Sequence, residues 1–164
     1  MSINPGRIHY VKNISRKVTP HSLSYCQYQL GAIFQLEFPN NVAQPGNAKK
    51  LTTNDIILLF QKEKNNNLKP VGNWLLTHLV QPISDNKVYI NKKSRHPFYI
   101  KVKIVGKIPY GVDITITSLK QYLKLSETSS GNACKLKTAI KNSANISSVQ
   151  QEIVKVFNQY GSVL

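Results

Sequence analysis

IILLFQKEKNNNLKPVGNWLLTHLVQPISDNKVYINKKSRHPFYIKVKIVGKIPY, residues Ile56 to Tyr110, holds the only tryptophan of the 164-residue chain, Trp74, together with its densest β-forming runs and much of its positive charge. Ile56 to Gln61 is a short apolar run, Glu63 to Val71 is polar and turn-rich, and Asn73 to Val80 is apolar again. Two apolar runs of strand length around a polar connector predict paired strands joined by a long loop. His96 to Val105 then alternates: Phe98, Ile100, Val102 and Ile104 face one way, and Tyr99, Lys101, Lys103 and Val105 the other. A period of two belongs to a strand with one buried and one wet face. Here the wet face is basic.

That basic character extends outward. Twenty-two Lys and Arg against seven Asp and Glu leave a net charge of +15, beyond what solubility asks for. The excess is uneven: residues 49–124 hold fourteen basic and four acidic side chains, a net of +10, against +3 before them and +2 after. Such a field favours a polyanion, above all nucleic acid, because each phosphate contact releases condensed counterions. The bland alternative is a lysine-rich surface that is merely solvated.

The length and the 41% hydrophobic fraction suit one globular domain that buries a core without disulfides or metal. No apolar run approaches the roughly 20 residues that cross a bilayer, and the start MSINPGRIHYVKNISRK lacks the apolar segment of a secretory signal. A cytoplasmic protein with no membrane association is expected. Cys26 and Cys134 stand far apart without a CxxC spacing, so they read as buried or incidental thiols, not as a zinc site or a disulfide framework.

From the N-terminus, residues 1–24 read as an extended basic arm, with Arg7, Lys12, Arg16 and Lys17 spread among Pro5, Gly6 and Pro20 and no helical period. Residues 25–125 read as the β-rich core. Ala32 to Phe38 is its first strand, ended by Pro39, which cannot donate into a ladder. Asn40 to Lys50 is a loop by composition, and Asp55 is a turn residue bonding nearby backbone. Lys62 to Pro70 forms a lysine-rich hairpin tip. Val112 to Thr117, VDITIT, predicts a further strand, and Leu119 to Leu125 one or two helical turns. Residues 126–146 read as a loop or linker. In residues 147–161, Ser147 or Ser148 caps a helix with an apolar stripe of Val149, Ile153, Val156, Phe157 and Tyr160, and Gly161 closes it. No internal repeat divides the chain. The expected fold is α+β: five or six strands in a small mixed, strongly curved sheet or pseudo-barrel, a C-terminal helix and one or two short helices.

Catalytic motifs are missing. The chain has no GxxxxGK[ST], HExxH or GxSxG. Glu37, Asp55, Glu63, Asp85, Asp113, Glu127 and Glu152 are isolated in sequence, which disfavours acid-base and two-metal chemistry. Asp113 suits the start of a nuclease strand, but Thr115 and Thr117 stand where its further acid and lysine belong. No catalytic residue, metal or cofactor is predicted, and the chain is expected not to be an enzyme. His9, His21, His78 and His96 are scattered, and His78 in WLLTHLV reads as a hydrogen-bonded structural residue on a strand. Trp74 has two readings. A lone tryptophan opening a strand is most often a core anchor; beside basic loops it can stack on an unpaired base. In the second reading Trp74, Asn73, Tyr28, Phe34 and Tyr25 line a base pocket. Lys62, Lys64, Lys69, Lys92, Lys93, Arg95, Lys101 and Lys103 then contact the phosphate backbone.

NDIILLFQKEKNNNLKPVGNWLLTHLVQPI resembles the hairpin of the PUA-like superfamily, in particular its EVE and YTH members, with Asn54-Asp55 where those carry a Gly-Asp-like lead. HPFYIKVKIVGKIPY is similar to their basic strand followed by an Ile-Pro or Val-Pro exit, and the two stretches together cover residues 54–110. The resemblance implies a pseudo-barrel that reads a modified, methylated base in an aromatic pocket. The base would be flipped from DNA or unpaired in RNA, its unstacking offset by aromatic contact and edge hydrogen bonds. It further implies DNA rather than RNA, as the recognition module of a modification-dependent restriction system, with catalysis on another domain or on a nuclease or NTPase partner. Two other classes stay open: a nuclease or nucleic-acid-modifying enzyme, and a basic protein-interaction or RNA/ribosome-associated module.

Overall fold

A computed structural model describes residues 2–14, 21–39, 46–125, 131–141 and 143–164. Among these residues eight strands form one sheet: β1 (Ile8–Asn13), β2 (Ile33–Phe38), β3 (Ile56–Lys64), β4 (Pro70–Pro82), β5 (Tyr89–Ile90), β6 (Phe98–Asp113), β7 (Ala133–Lys135) and β8 (Ser162–Val163). The main path runs β2-β6-β4-β3-β1-β7, antiparallel except where β1 lies parallel to β3, and β5 and β8 add short ladders to β6. These six strands make a strongly curved half-barrel within a mixed α+β fold. The bend has local causes. The β3-β4 and β4-β6 ladders each shift register twice, and an extra residue on one strand bends and twists it.

The predicted hairpin is present with longer arms. Its tip is residues 65–69, where the Asn65 side chain accepts from the amides of Asn67 and Lys69, both at 3.0 Å. Alternate residues of β3 feed two buried clusters, Ile56, Leu58 and Phe60 one and Ile57 and Leu59 the other. The sheet is therefore covered on both faces at its centre, which is why this strand reads as a continuous apolar run. On β6, Ile100, Val102 and Ile104 join the second cluster with Phe98 at its margin, while Lys101 and Lys103 are exposed, as the alternation predicts. Val105 is buried in the first cluster.

Three segments differ from their sequence reading. Half of the predicted basic arm is structural: β1 buries Ile8, Tyr10 and Val11 between β3 and β7, and residues 1 and 15–20, with Arg16 and Lys17, fall outside the described residues. β6 continues to Asp113, so the strand expected over 112–117 is the end of β6 followed by 3-10 turns at Ile114–Ile116 and Ser118–Gln121. The Asp113 carboxylate turns the chain there by accepting from the Thr115 amide at 2.8 Å. The linker expected over 126–146 contains β7 and a short helix α1 (Leu136–Ala139) that buries Leu136, while residues 126–130 and 142 lie outside the described residues.

The C-terminal helix α2 (Ile146–Tyr160) is capped by Asn145, which accepts from the Ser148 amide at 3.2 Å, two residues ahead of the first expected serine. It buries Val149, Ile153, Val156 and Phe157 on the first cluster. Gln150, buried beside them, donates to the Ile8 carbonyl at 2.9 Å and ties α2 to β1. Gly161 closes the helix with an amide bond to Phe157 at 3.0 Å, in extended rather than left-handed backbone. Glycine is required there because a Cβ would run into the Lys107 carbonyl, where β8 lies on β6. Among the described residues no helix is long and apolar enough to cross a membrane.

Candidate nucleic-acid interface

Residues 21–32 cross the sheet on the side of the second cluster and carry two of the aromatics singled out above. Gln61 clamps this segment: its amide oxygen accepts from the Ser24 amide at 2.8 Å, and its nitrogen donates to the Ser24 carbonyl and to Thr77 Oγ1, both at 3.2 Å. Lys107 Nζ adds bonds to the carbonyls of Cys26, at 2.8 Å, and Tyr28, at 2.7 Å. Held this way, Tyr25 packs against Phe34 with ring centroids 4.3 Å apart, and Tyr28 stacks on Phe34 at 5.3 Å and 11°. Tyr25 adopts a φ of 66°, a left-handed conformation uncommon for an aromatic residue.

Beside this trio lies a small cavity of about 10 Å³ lined by Lys12, Tyr25, Glu37, Pro39, His96 and Gly131. That is room for a single water. Lys12 is only 3% exposed. Its Nζ donates to the Gly131 carbonyl and sits 4.6 Å from the Phe38 ring centroid. Burial lowers the pKa of the amine to about 7, with Glu37 and Cys134 pulling it back up. Near neutral pH the amine is divided between its charged and neutral forms, so it can donate or accept. An amine, a carboxylate, a phenol and an imidazole beside aromatic faces suit recognition of a polar heterocycle edge.

The face of β6 turned away from the second cluster is basic and aromatic. Tyr89 on β5 pairs with Tyr99 on β6 and stacks on it at 5.2 Å and 13°. Lys87 and Lys101 place their ammonium groups 5.0 and 5.3 Å from the Tyr89 ring centroid. Lys103 is exposed further along β6. The connector of residues 91–97 is pinned by the Asn91 amide donating to the Pro97 carbonyl at 2.6 Å, and it exposes Lys92, Lys93 and Arg95. Its next residue, His96, lines the pocket. The connector thus joins the basic face to the cavity.

The other predicted pocket residues are elsewhere. Trp74 packs against the first cluster, on the opposite face of the sheet from Tyr25, Tyr28 and Phe34. Its ring stands edge-on to Phe60 at 5.0 Å, with Lys62 Nζ 4.8 Å from its centroid. Asn73 donates to Asp113 at 2.9 Å and so ties β4 to the turn after β6. Burial alone would raise the Asp113 pKa, but the bonds from Asn73 and Thr115 outweigh it and hold the carboxyl below its usual range. Of the hairpin lysines, Lys69 is exposed and Lys64 is buried, so Lys64 is not an outward cation.

Asp55 bonds nearby backbone as expected, accepting from the Thr52 amide at 2.7 Å, and its other oxygen lies 2.6 Å from His9 Nδ1. His78 departs from its expectation: it is fully buried, and neither ring nitrogen makes a hydrogen bond among the described residues. Burial lowers its pKa to about 4, with the Lys107 charge acting in the same direction. Both cysteines are free and half-buried, and among the described residues no three His, Cys, Asp or Glu side chains converge on a metal-sized site.

Sequence reasoning missed Lys12, Glu37 and His96 as pocket neighbours, Tyr89 as the partner of Tyr99, and Lys87 over the Tyr89 ring. For Lys12 the signal is short, Tyr10 and Lys12 alone, because β1 shifts register after Ile8 and Ile8 packs in the other cluster; Tyr89 sits on a two-residue strand too short to show a period. Comparison with protein-family models, with curated proteins and with solved structures finds no match, so the site is read from its own residues.

Proposed function

We propose that the chain is a nucleic-acid recognition module that takes an unpaired or flipped base, preferentially a methylated one, into the pocket beside Tyr25, Tyr28 and Phe34. The connector with Lys92, Lys93 and Arg95 holds the strand, and any catalysis belongs to another domain or a partner such as a nuclease or NTPase. One observation carries the reading: the connector that exposes Lys92, Lys93 and Arg95 also supplies His96 to the pocket wall. A backbone held by phosphate contacts on that connector has its bases beside the aromatic trio. Stacking contributes about 1–3 kcal/mol per base, and a methyl group in a fitted pocket adds roughly 1–3 kcal/mol of preference. Base entry requires the water-sized cavity to widen. The wall that moves includes Tyr25, and leaving a left-handed φ of 66° relieves backbone strain.

The test is a fluorescence-anisotropy panel of methylated and plain oligonucleotides, single- and double-stranded, at two salt concentrations. Wild type is expected to bind a methylated member about tenfold tighter than its plain counterpart, from a preference of about 1.4 kcal/mol. Tyr28→Leu, which keeps apolar volume and removes the stacking face, should erase that difference with little change in Tm. Equal affinity across the panel would sink the base-reading half. Absence of salt-dependent binding would favour a protein-interaction module, and cleavage by this chain with Mg²⁺ would favour an enzyme.

A further inference from the structure

A second concavity, of about 730 Å³, shares no lining residue with the Lys12 pocket; its walls include Leu23, Cys26, Gln27, Glu63, Pro109 and Tyr110. Its size falls in the range of small-ligand sites, roughly 300–1,000 Å³. Tyr110 is 89% exposed although it belongs to β6, a strand otherwise rich in buried residues. The strand is turned there by Gly111 at a φ of +69°, and a Cβ on Gly111 would press on Leu75, Thr77 and Leu23. Leu23 therefore sits against the backbone next to the Tyr110 ring. The fold gains little from an aromatic left in water.

The groove also touches the hairpin tip. His21, on its rim, donates its amide to the Lys64 carbonyl at 3.0 Å, and its Nε2 lies 3.0 Å from Asn66 Oδ1. Lys69, at the tip, is exposed. One cation, Lys69, therefore stands at the tip outside the groove while Glu63 lines it. A carboxylate at the wall repels phosphate and accepts from an amino group, so a base edge enters rather than the backbone. Cytosine, adenine and guanine each display an exocyclic amine, whereas thymine and uracil present only carbonyls and a ring N–H.

We propose that this groove is a second base subsite, in which an unpaired amino-bearing base stacks on Tyr110 and donates its exocyclic amine to Glu63 while Lys69 contacts the adjoining phosphate. The inference rests on the nucleic-acid reading above and adds a base preference at a place separate from the pocket.

The experiment measures binding of oligo(dC), oligo(dA) and oligo(dT) at fixed salt, together with the rate of maleimide alkylation of Cys26 against Cys134 as internal reference. Wild type should bind oligo(dC) and oligo(dA) more tightly than oligo(dT), and bound oligonucleotide should slow alkylation of Cys26 selectively. Tyr110→Ala should weaken binding by about 5- to 150-fold, the range set by one stacking contact, and abolish the protection of Cys26. Its Tm should be unchanged because the ring is exposed. Glu63→Gln should erase the preference for oligo(dC) over oligo(dT). Wild-type binding that Tyr110→Ala leaves intact, with Cys26 unprotected, overturns the second subsite and leaves the nucleic-acid reading standing. No salt-dependent binding to any oligonucleotide overturns both.

Discussion

Lys12 and His78 are ionisable side chains held out of water, and in each the fold favours the neutral form. Lys12 falls from 10.5 to about 7, so between those values the unfolded chain binds the extra proton and stability rises with pH. His78 falls from 6.5 to about 4, so its contribution is complete above 6.5 and is lost as pH drops toward 4. A shift of that size corresponds to on the order of 3 kcal/mol. Urea unfolding across pH should show two separate windows, the acid one removed by His78→Leu and the alkaline one by Lys12→Met. A flat wild-type profile between pH 4 and 6.5 would mean that His78 gains a proton without leaving the fold. Trp74 illustrates what one residue's chemistry leaves open, since a tryptophan at a strand start beside lysines suits a core and a stacking site equally. Packing decides it: the ring meets Phe60 on the face opposite the tyrosines. Trp74→Ala should cost about 2–3 kcal/mol of stability, below the range for a fully buried aromatic because the ring is only partly buried. Discrimination among bases should not change. A variant of wild-type stability that loses base discrimination would return Trp74 to the pocket.

β6 is the element whose sequence says most about its surroundings. Ile100 and Val102 are buried and Lys101 and Lys103 exposed, as their alternation requires. Ile100→Asp or Val102→Asp should therefore unfold the domain, because an ionised carboxylate there has no partner. Lys101→Ala and Lys103→Ala should each change stability by less than about 0.5 kcal/mol in thermal melts. Equal loss from both faces would show that the outer face is covered as well. The same strand shows where periodicity stops being informative. Past Ile104, Val105 is buried on the other face because α2 arrives there, and the register shifts opposite β4 break the period at residues where no single side chain signals a bulge. The turn after β6 was misread for a related reason. Asp113, Thr115 and Thr117 alternate with isoleucines as a strand would, yet the short polar side chains bond their own backbone and wind it into 3-10 turns. α2 was legible because its stripe repeats over four turns, long enough for a 3.6-residue period to stand out.

At the scale of the molecule, curvature and charge are what the chain displays most openly, and pairing is what it hides. The hairpin of β3 and β4 is local, so its two apolar runs and polar tip announce it. β1 joins β3 in parallel from more than forty residues away, and its lysine at position 12 made a strand look like an arm. The pocket depends on that hidden pairing, since it assembles Lys12 from β1, Glu37 from β2 and His96 from the connector before β6. The charge needs no pairing to be read. Residues 49–124 carry +10, and Lys92, Lys93 and Arg95 stand exposed on one connector. Replacing these three together with Ala should weaken binding to all sequences alike. It should also reduce the slope of log affinity against log salt by about 2 to 3, the share of three phosphate contacts on single- or double-stranded nucleic acid. Stability should be unaffected, because the three side chains are exposed. Affinity measured from low to physiological salt, with plain and methylated oligonucleotides side by side, separates the two parts of the site. Loss of slope with retained base preference assigns the connector to the backbone and the aromatic trio to the base. An unchanged slope moves the phosphate contacts to Lys62 and Lys69 of the hairpin.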